Sequence, residues 1–285
     1  MNIKITDVRA LKGDSAFLID DGKTSILYDT GFGFTGFQIA ENIKAHLKGR
    51  SLDYIFLTHS HYDHALGSAY ILKVFPNAKV VAGEYAKKIF SKPSARSIMM
   101  DLDRKFALKN GVEDYEDLSE NLKVHIPVSD GDKIAAGDMI FTALNLTGHT
   151  KCSVGYYLES EKLLLSTESL GVYVGDGVVV PSYLVGYEMV LDSINRVKAL
   201  EAEKILIPHF GVIEKEQVKL YLKNAYESAV STYEEIREIL KTGTREEAVN
   251  HFVNKFYTEK VKEIYPYDAM ILNTSITVAL IEKDI

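Results

Sequence analysis

Residues 58–67 read THSHYDHALG, with three of the chain's eight histidines and an aspartate inside the six positions from His59 to His64. They are entered by LDYIFLTH (52–59), an apolar run that reads as a β-strand leading directly into the motif. Residues two apart at the end of an extended segment point to the same side, so His59 and His61 leave one face of the backbone. Asp63 and His64 follow as the chain turns, aimed at a neighbouring point. Imidazole nitrogens with one carboxylate oxygen suit Zn²⁺, iron or Mn²⁺, and the lack of thiolates argues against a closed structural zinc site. The bland alternative is a polar turn that happens to be rich in histidine, which the crowding of three histidines at a strand end disfavours.

Upstream, SAFLID (15–20) and TSILYDTG (24–31) read as strands, and FQIAENIKAHLKG (37–49) as a helix that stops at Gly49. Downstream, ALGSAYILKVF (65–75) and residues 94–110 carry helical patterns on either side of a strand, AKVVAG (78–83). Strands alternating with helices predict an α/β layered fold. A second set of strand signals, KVHIPV (123–128), MIFTALNLTGH (139–149), SVGYYLES (153–160) and KLLLSTE (162–168), is spaced closely enough for hairpins. The helix YEMVLDSINRVKAL (187–200) then leads to the strand KILIPH (204–209), repeating the strands-then-helix plan of the first half. Beyond it, Val218, Leu222, Ala225, Ala229, Ile236 and Leu240 fall near helical spacing among Glu and Lys. Residues 214–285 are therefore expected to be a helical region packed on residues 1–213, with no Pro/Gly-rich spacer between them.

A chain of 285 residues, 46% of them hydrophobic, can bury a full core. No apolar run approaches the roughly 20 residues that span a bilayer. The opening MNIKITDV lacks a basic region followed by an apolar core, so a cytoplasmic protein with no membrane partner is expected. The single cysteine, Cys152, cannot form an internal disulfide, which fits a reducing compartment. The net charge is −7 and the lysines are scattered among acidic residues, so no nucleic-acid partner is expected. Function must come from a site that takes a small molecule.

The stretch at 59–64 matches H-x-H-x-D-H, and with it the chain resembles the metallo-β-lactamase superfamily of metal-dependent hydrolases. Further motifs recur in the family's order: YDTG (28–31), TGHT (147–150), LLLSTESLG (163–171) and IPHFG (207–211). The resemblance implies a four-layer αββα sandwich over roughly residues 3–213. It further implies two divalent metal ions, zinc first, with iron or manganese as the other candidates. One would be held by His59, His61 and His149, the other by Asp63, His64 and His209, with Asp29 supporting the metal loop through hydrogen bonds. Glu168 falls where the family usually has a bridging aspartate. Its extra methylene leaves two outcomes open: a bridge kept by backbone displacement, or a carboxylate drawn to one metal. His46, His125 and His251 read as structural or solvated.

The resemblance implies hydrolysis of a small ester-like substrate, in which metal ions would supply a hydroxide and Asp63 would orient it and pass its proton to the leaving group. Thioester or lactone hydrolysis ranks ahead of phosphodiester cleavage. Residues 170–187 follow Glu168 and carry Tyr173, Tyr183 and Tyr187, expected either to line a substrate pocket or to sit half-buried in a strand pair. The C-terminal helices resemble those that shape the cleft in glyoxalase II-like thioesterases, and a homodimer contact is their other expected role. Two further functions stay open: an iron-dependent oxidoreductase on the same fold, and a metal-binding regulatory protein of low activity.

Overall fold

The computed structural model describes residues 3–285. One six-stranded sheet holds β1 (Lys4–Asp7), β2 (Phe17–Asp20), β3 (Ser25–Tyr28), β4 (Tyr54–Phe56), β5 (Lys79–Gly83) and β6 (Ile126–Val128), side by side in chain order. The pairs from β1 to β3 are antiparallel and those from β3 to β6 parallel. The other sheet runs β14-β13-β10-β9-β8-β7, from β7 (Lys133–Ala136), β8 (Met139–Asn145), β9 (Val154–Leu158), β10 (Leu163–Leu165), β13 (Lys204–Ile207) and β14 (Gly211–Glu214). A small hairpin, β11 (Val172–Tyr173) with β12 (Val179–Val180), stands apart.

Side-chain alternation fixes the layers. Ile26 and Tyr28 of β3 enter a core shared with Leu163 and Leu165 of β10 and Leu206 of β13, so the two sheets pack face to face. Their neighbours point the other way. Leu27, Ile55 and Val80 meet α1 (Gly36–Leu47) and the successive helices α2 (Tyr62–Ala65) and α3 (Gly67–Val74), with α4 (Glu84–Phe90) and α5 (Pro93–Lys109) completing this outer layer. Leu164, Ile205 and Ile207 meet α6 (Tyr187–Ala199) and α7 (Glu216–Thr242) on the opposite outside. The order is therefore helix, sheet, sheet, helix. To the α6 side α8 (Arg245–Phe256), α9 (Glu259–Lys262) and α10 (Tyr267–Ile281) add Ala248, Phe252, Val261, Val278 and Ile281, which share one core with it. α8 begins in a capping box, the Thr244 side chain accepting from Glu247 N and the Glu247 side chain from Thr244 N.

The strand expected over 52–59 is shorter, because the ladder ends soon after Phe56: Leu57 N still bonds Val81 O at 2.9 Å, then the chain leaves the sheet as the histidine loop. That loop is clamped onto the turn after β3. Thr30 N and Oγ1 both donate to His64 O at 2.8 Å, and Gly67 lies flat against the same turn. A Cβ on Gly67 would come 2.0 Å from Thr30 O and 2.9 Å from Phe32 O, both backbone atoms that cannot swing away. Gly67→Ala should therefore destabilise the fold by about 1–3 kcal/mol, read as a lower urea midpoint; an unchanged midpoint would refute the close-approach argument.

The turn after Phe32 is tied to α5 by a buried carboxylate. Asp103 accepts from Gly33 N at 2.9 Å and Phe34 N at 3.1 Å and from the Tyr115 hydroxyl. Burial nonetheless pushes its pKa up to about 7. A carboxyl whose pKa is higher folded than unfolded favours the native state while protonated, and that contribution is lost as pH rises towards about 7. The stability of the native chain relative to Asp103→Asn should thus fall between pH 4 and pH 7, at up to about 1.4 kcal/mol per pH unit. Denaturant titrations of both proteins at several pH values measure the difference, and a flat difference would show that Asp103 is ionised throughout.

Candidate metal centre

The chain returns to one edge of the sandwich at the C-terminal end of five strands. Asp29 follows β3, the histidine loop follows β4, and His149, Glu168 and His209 come after β8, β10 and β13. Two groups of donor atoms result, each with all members within 4.8 Å of one another: His59, His61, His149 and Glu168 in one, and Asp63, His64 and His209 in the other. Two histidines of each group face each other closely, His61 Nδ1 and His149 Nε2 at 3.0 Å and His64 Nε2 and His209 Nε2 at 3.1 Å.

The far side of each ring decides what these nitrogens offer. His209 Nδ1 lies 2.9 Å from the Gly13 carbonyl, which can only accept, so Nδ1 carries the proton and Nε2 presents a lone pair. His64 Nδ1 donates in the same way to Asp29 Oδ2 at 2.8 Å. Thr58 Oγ1 gives its hydrogen to Asp29 Oδ2 at 3.1 Å and so accepts from His59 Nδ1 at 2.9 Å. His59 Nε2 is then a buried lone pair with no hydrogen-bond partner. Lone pairs aimed at a common point, in a set free of thiolates, fit divalent cations of the zinc, iron or manganese type. The residues present therefore suit metal ions.

Charge points the same way. Burial alone would lower the His64 pKa, but Asp63, Asp29 and Glu168 outweigh it and hold it near 9, so this spot favours positive charge. His59 has Glu168 as its carboxylate support, and burial with the neighbouring imidazoles outweighs it and holds the ring well below the usual range. Glu168 stretches across both groups, with Oε2 3.0 Å from His149 Nε2 and Oε1 3.3 Å from His209 Nε2. Burial disfavours its ionised form, yet the surrounding histidines keep its pKa well below the ordinary carboxylate value. Of the two outcomes open for its longer side chain, the geometry is one oxygen towards each group.

Supporting contacts come from distant parts of the chain. Asp29, in a left-handed conformation at φ 52°, also accepts from Thr58 N at 2.8 Å and from Ser15 Oγ at 3.0 Å. His209 is left-handed too, at φ 62°, and its carbonyl is gripped by the Arg9 guanidinium. Ser182 Oγ sits 2.7 Å from His149 Nδ1. Cys152 is buried beside the loop, its Sγ 3.3 Å from Ser60 Oγ. Sequence reading found none of Ser15, Ser182, Arg9 or the Gly13 carbonyl, and only Thr58, adjacent to the motif, carried a local signal.

The ligands open onto a cleft of about 240 Å³ that exposes His61, Asp63 and Glu168 at its floor. Its polar wall comes from Tyr62, Tyr265 and Asn273, with Asn273 Nδ2 donating to the Tyr265 hydroxyl. Tyr173, Tyr183 and Tyr187 are elsewhere. Tyr173 packs its ring on Phe210 and Tyr221, at centroid separations of 4.6 and 5.3 Å. Tyr183 is fully buried against Tyr187, and Tyr187 stacks on Tyr233 at 4.0 Å. The three tyrosines expected at the substrate thus take the other role open to them, as packed residues of the hairpin region and α6. Of the remaining histidines, His125 Nδ1 accepts from Val80 N at 2.9 Å and His251 pairs with Glu235 at 2.8 Å.

A family model described as the metallo-beta-lactamase superfamily matches residues 12–209, and the chain belongs to that superfamily. Its relatives differ in what they are named for. It is 27% identical over 156 residues to Glyoxylase B2 of Dictyostelium discoideum, a match covering 54% of this chain and 46% of that one, about half of the relative's length. It is 25% identical over 236 residues to the atrochrysone carboxyl ACP thioesterase of Emericella nidulans, covering 75% and 72% of the two chains. A stretch of 88 residues is 34% identical to a flavo-diiron protein of Clostridium acetobutylicum, covering 31% and 22%. A solved metallo-beta-lactamase family protein from Thermus thermophilus matches with a TM-score of 0.63 at 21% identity, over 94% of this chain and 88% of that one, a likeness of fold.

Because Asp29 fixes both the tautomer of His64 and the course of Thr58, Asp29→Asn should weaken metal binding by about 10- to 100-fold, measured by competition with a chromophoric chelator. Affinity equal to that of the native chain would remove Asp29 from the metal's support.

Proposed function

We propose that the protein is a metal-dependent hydrolase of small, uncharged ester-like substrates, with thioesters and lactones ahead of phosphodiesters. The observation that carries the reading is the pair of ligand groups, with Glu168 of one reaching within 3.3 Å of His209 in the other, beneath a cleft whose lining, among the described residues, holds no lysine or arginine. Metal ions would meet the charge of a phosphoryl group, but the lining beyond them offers no cationic contact for a larger anionic substrate, whereas a carbonyl substrate needs only a nucleophile and a donor. The two matches to proteins named as a glyoxylase and an acyl-carrier thioesterase support the same choice.

Divalent cations held by the seven ligands would supply a Lewis acid and a water of lowered pKa. Asp63 Oδ2, 3.7 Å from both His64 Nε2 and His209 Nε2, takes the proton of the attacking water. The water oxygen bonds to the carbonyl carbon, the bond from that carbon to the thiol or alkoxyl group breaks, and Asp63 returns the proton to the departing group. Tyr265 serves the carbonyl oxygen. Burial and the charge of Glu168 raise its pKa, so the phenol keeps its proton and, with Asn273 donating to its oxygen, has its own hydrogen to give.

With metal restored, the chain should hydrolyse acyl thioesters or lactones and leave bis(p-nitrophenyl) phosphate largely untouched, and chelation should abolish turnover. Tyr265→Phe should lower kcat by about a hundredfold with KM changed little. No ester turnover from a fully loaded protein would sink this reading, and oxygen consumption by an iron-loaded sample would put the oxidoreductase in its place.

A further inference from the structure

Helix α10 is apolar on two faces. Met270, Val278 and Ile281 are buried in the core shared with α7 and α8. Ala269, Leu272 and Ile276, three to four positions apart, instead face the cleft above the metal ligands. Across the cleft α5 presents Ile98, Met99 and Leu102. Ile98 is 61% exposed, Leu272 47% and Ile276 37%, a costly concentration of bare aliphatic surface around one concavity. A helix with two apolar faces ordinarily has both of them covered. The two helices are joined at one end by Lys109 Nζ and Asp268 Oδ2, 2.6 Å apart, so the walls are tied together.

Resting on the hydrolase reading above, we infer that the space between α5 and α10 is a hydrocarbon-chain subsite, taking the aliphatic acyl chain of the substrate while its carbonyl lies at the Glu168 end. The mouth residues Ile98, Leu272 and Ile276 set the preference. Cationic side chains are absent from the lining, which disfavours a charged headgroup, and the aromatic rings lie at the metal end with Tyr62 and Tyr265, which leaves the outer cleft to flexible aliphatic contact.

The test separates binding from turnover. In the metal-free protein, 2-alkanones of four to twelve carbons should displace N-phenyl-1-naphthylamine from the cleft. Affinity should rise about fourfold per methylene until the cleft is filled, and kcat/KM for acyl thioesters should climb over the same range in metal-loaded protein. The double variant Leu272→Gln/Ile276→Gln, altered at two exposed positions and checked for an unchanged Tm, should lose most of that rise. Binding that ignores chain length, or a rise that the double variant leaves intact, overturns the subsite. Chain-dependent binding without hydrolysis upholds the subsite and overturns the hydrolase; hydrolysis with flat chain-length profiles does the reverse. An equal gain with aryl ketones of the same carbon number would overturn the aliphatic assignment.

Discussion

The interaction on which the site depends is the close approach of two imidazole nitrogens. His64 Nε2 and His209 Nε2 stand 3.1 Å apart with both Nδ1 protons already committed, one to Asp29 and the other to the Gly13 carbonyl. Nitrogens at that distance need a positive charge between them, either the proton that the His64 pKa near 9 keeps there or a cation in its place. The fold holds them there by means far stronger than one hydrogen bond: two sheets bring five strand ends to one edge, and the backbone at Asp29 and His209 accepts left-handed torsions that cost non-glycine residues about 1 kcal/mol or more. The cost is offset by the surrounding contacts, and a bound cation would complete the offset.

This arrangement also explains why Glu168 can stand at a position where the resemblance expects a shorter acid. It begins a 3₁₀ turn after β10, anchored by Thr167 Oγ1 accepting from Ser169 N, so its backbone is fixed by its own cap. From there the longer side chain reaches one histidine of each group. The candidate ligands thus come from the strand ends of the sandwich, while the cleft above them is walled by α5 and α10, elements far apart along the chain.

The difference in origin accounts for what could be read in the sequence. The histidine loop was legible because its ligand-type residues are adjacent and end a strand, and the alternation of strand and helix segments along the chain carried the layered fold. His149, Glu168 and His209 became legible only through the order of short motifs along the chain. The Gly13 carbonyl could not be found that way, since any residue offers a carbonyl, and Ser182 is one serine among many. The tyrosines of 170–187 stayed ambiguous for a physical reason: a glycine- and tyrosine-rich stretch suits a pocket loop and a packed hairpin equally, and in the structure they pack against Tyr221, Phe210 and Tyr233. Helix α10 posed the inverse problem, because two apolar faces on one helix do not reveal which meets the core and which meets a cleft.

Metal stoichiometry tests the central claim most directly. Elemental analysis of protein purified without a histidine tag and reconstituted with zinc, manganese or iron should give two ions per chain, falling towards one when His209 is replaced by alanine. One ion or none in the native chain after reconstitution, or two retained by the His209→Ala protein, would contradict a centre built from two groups of ligands joined by Glu168.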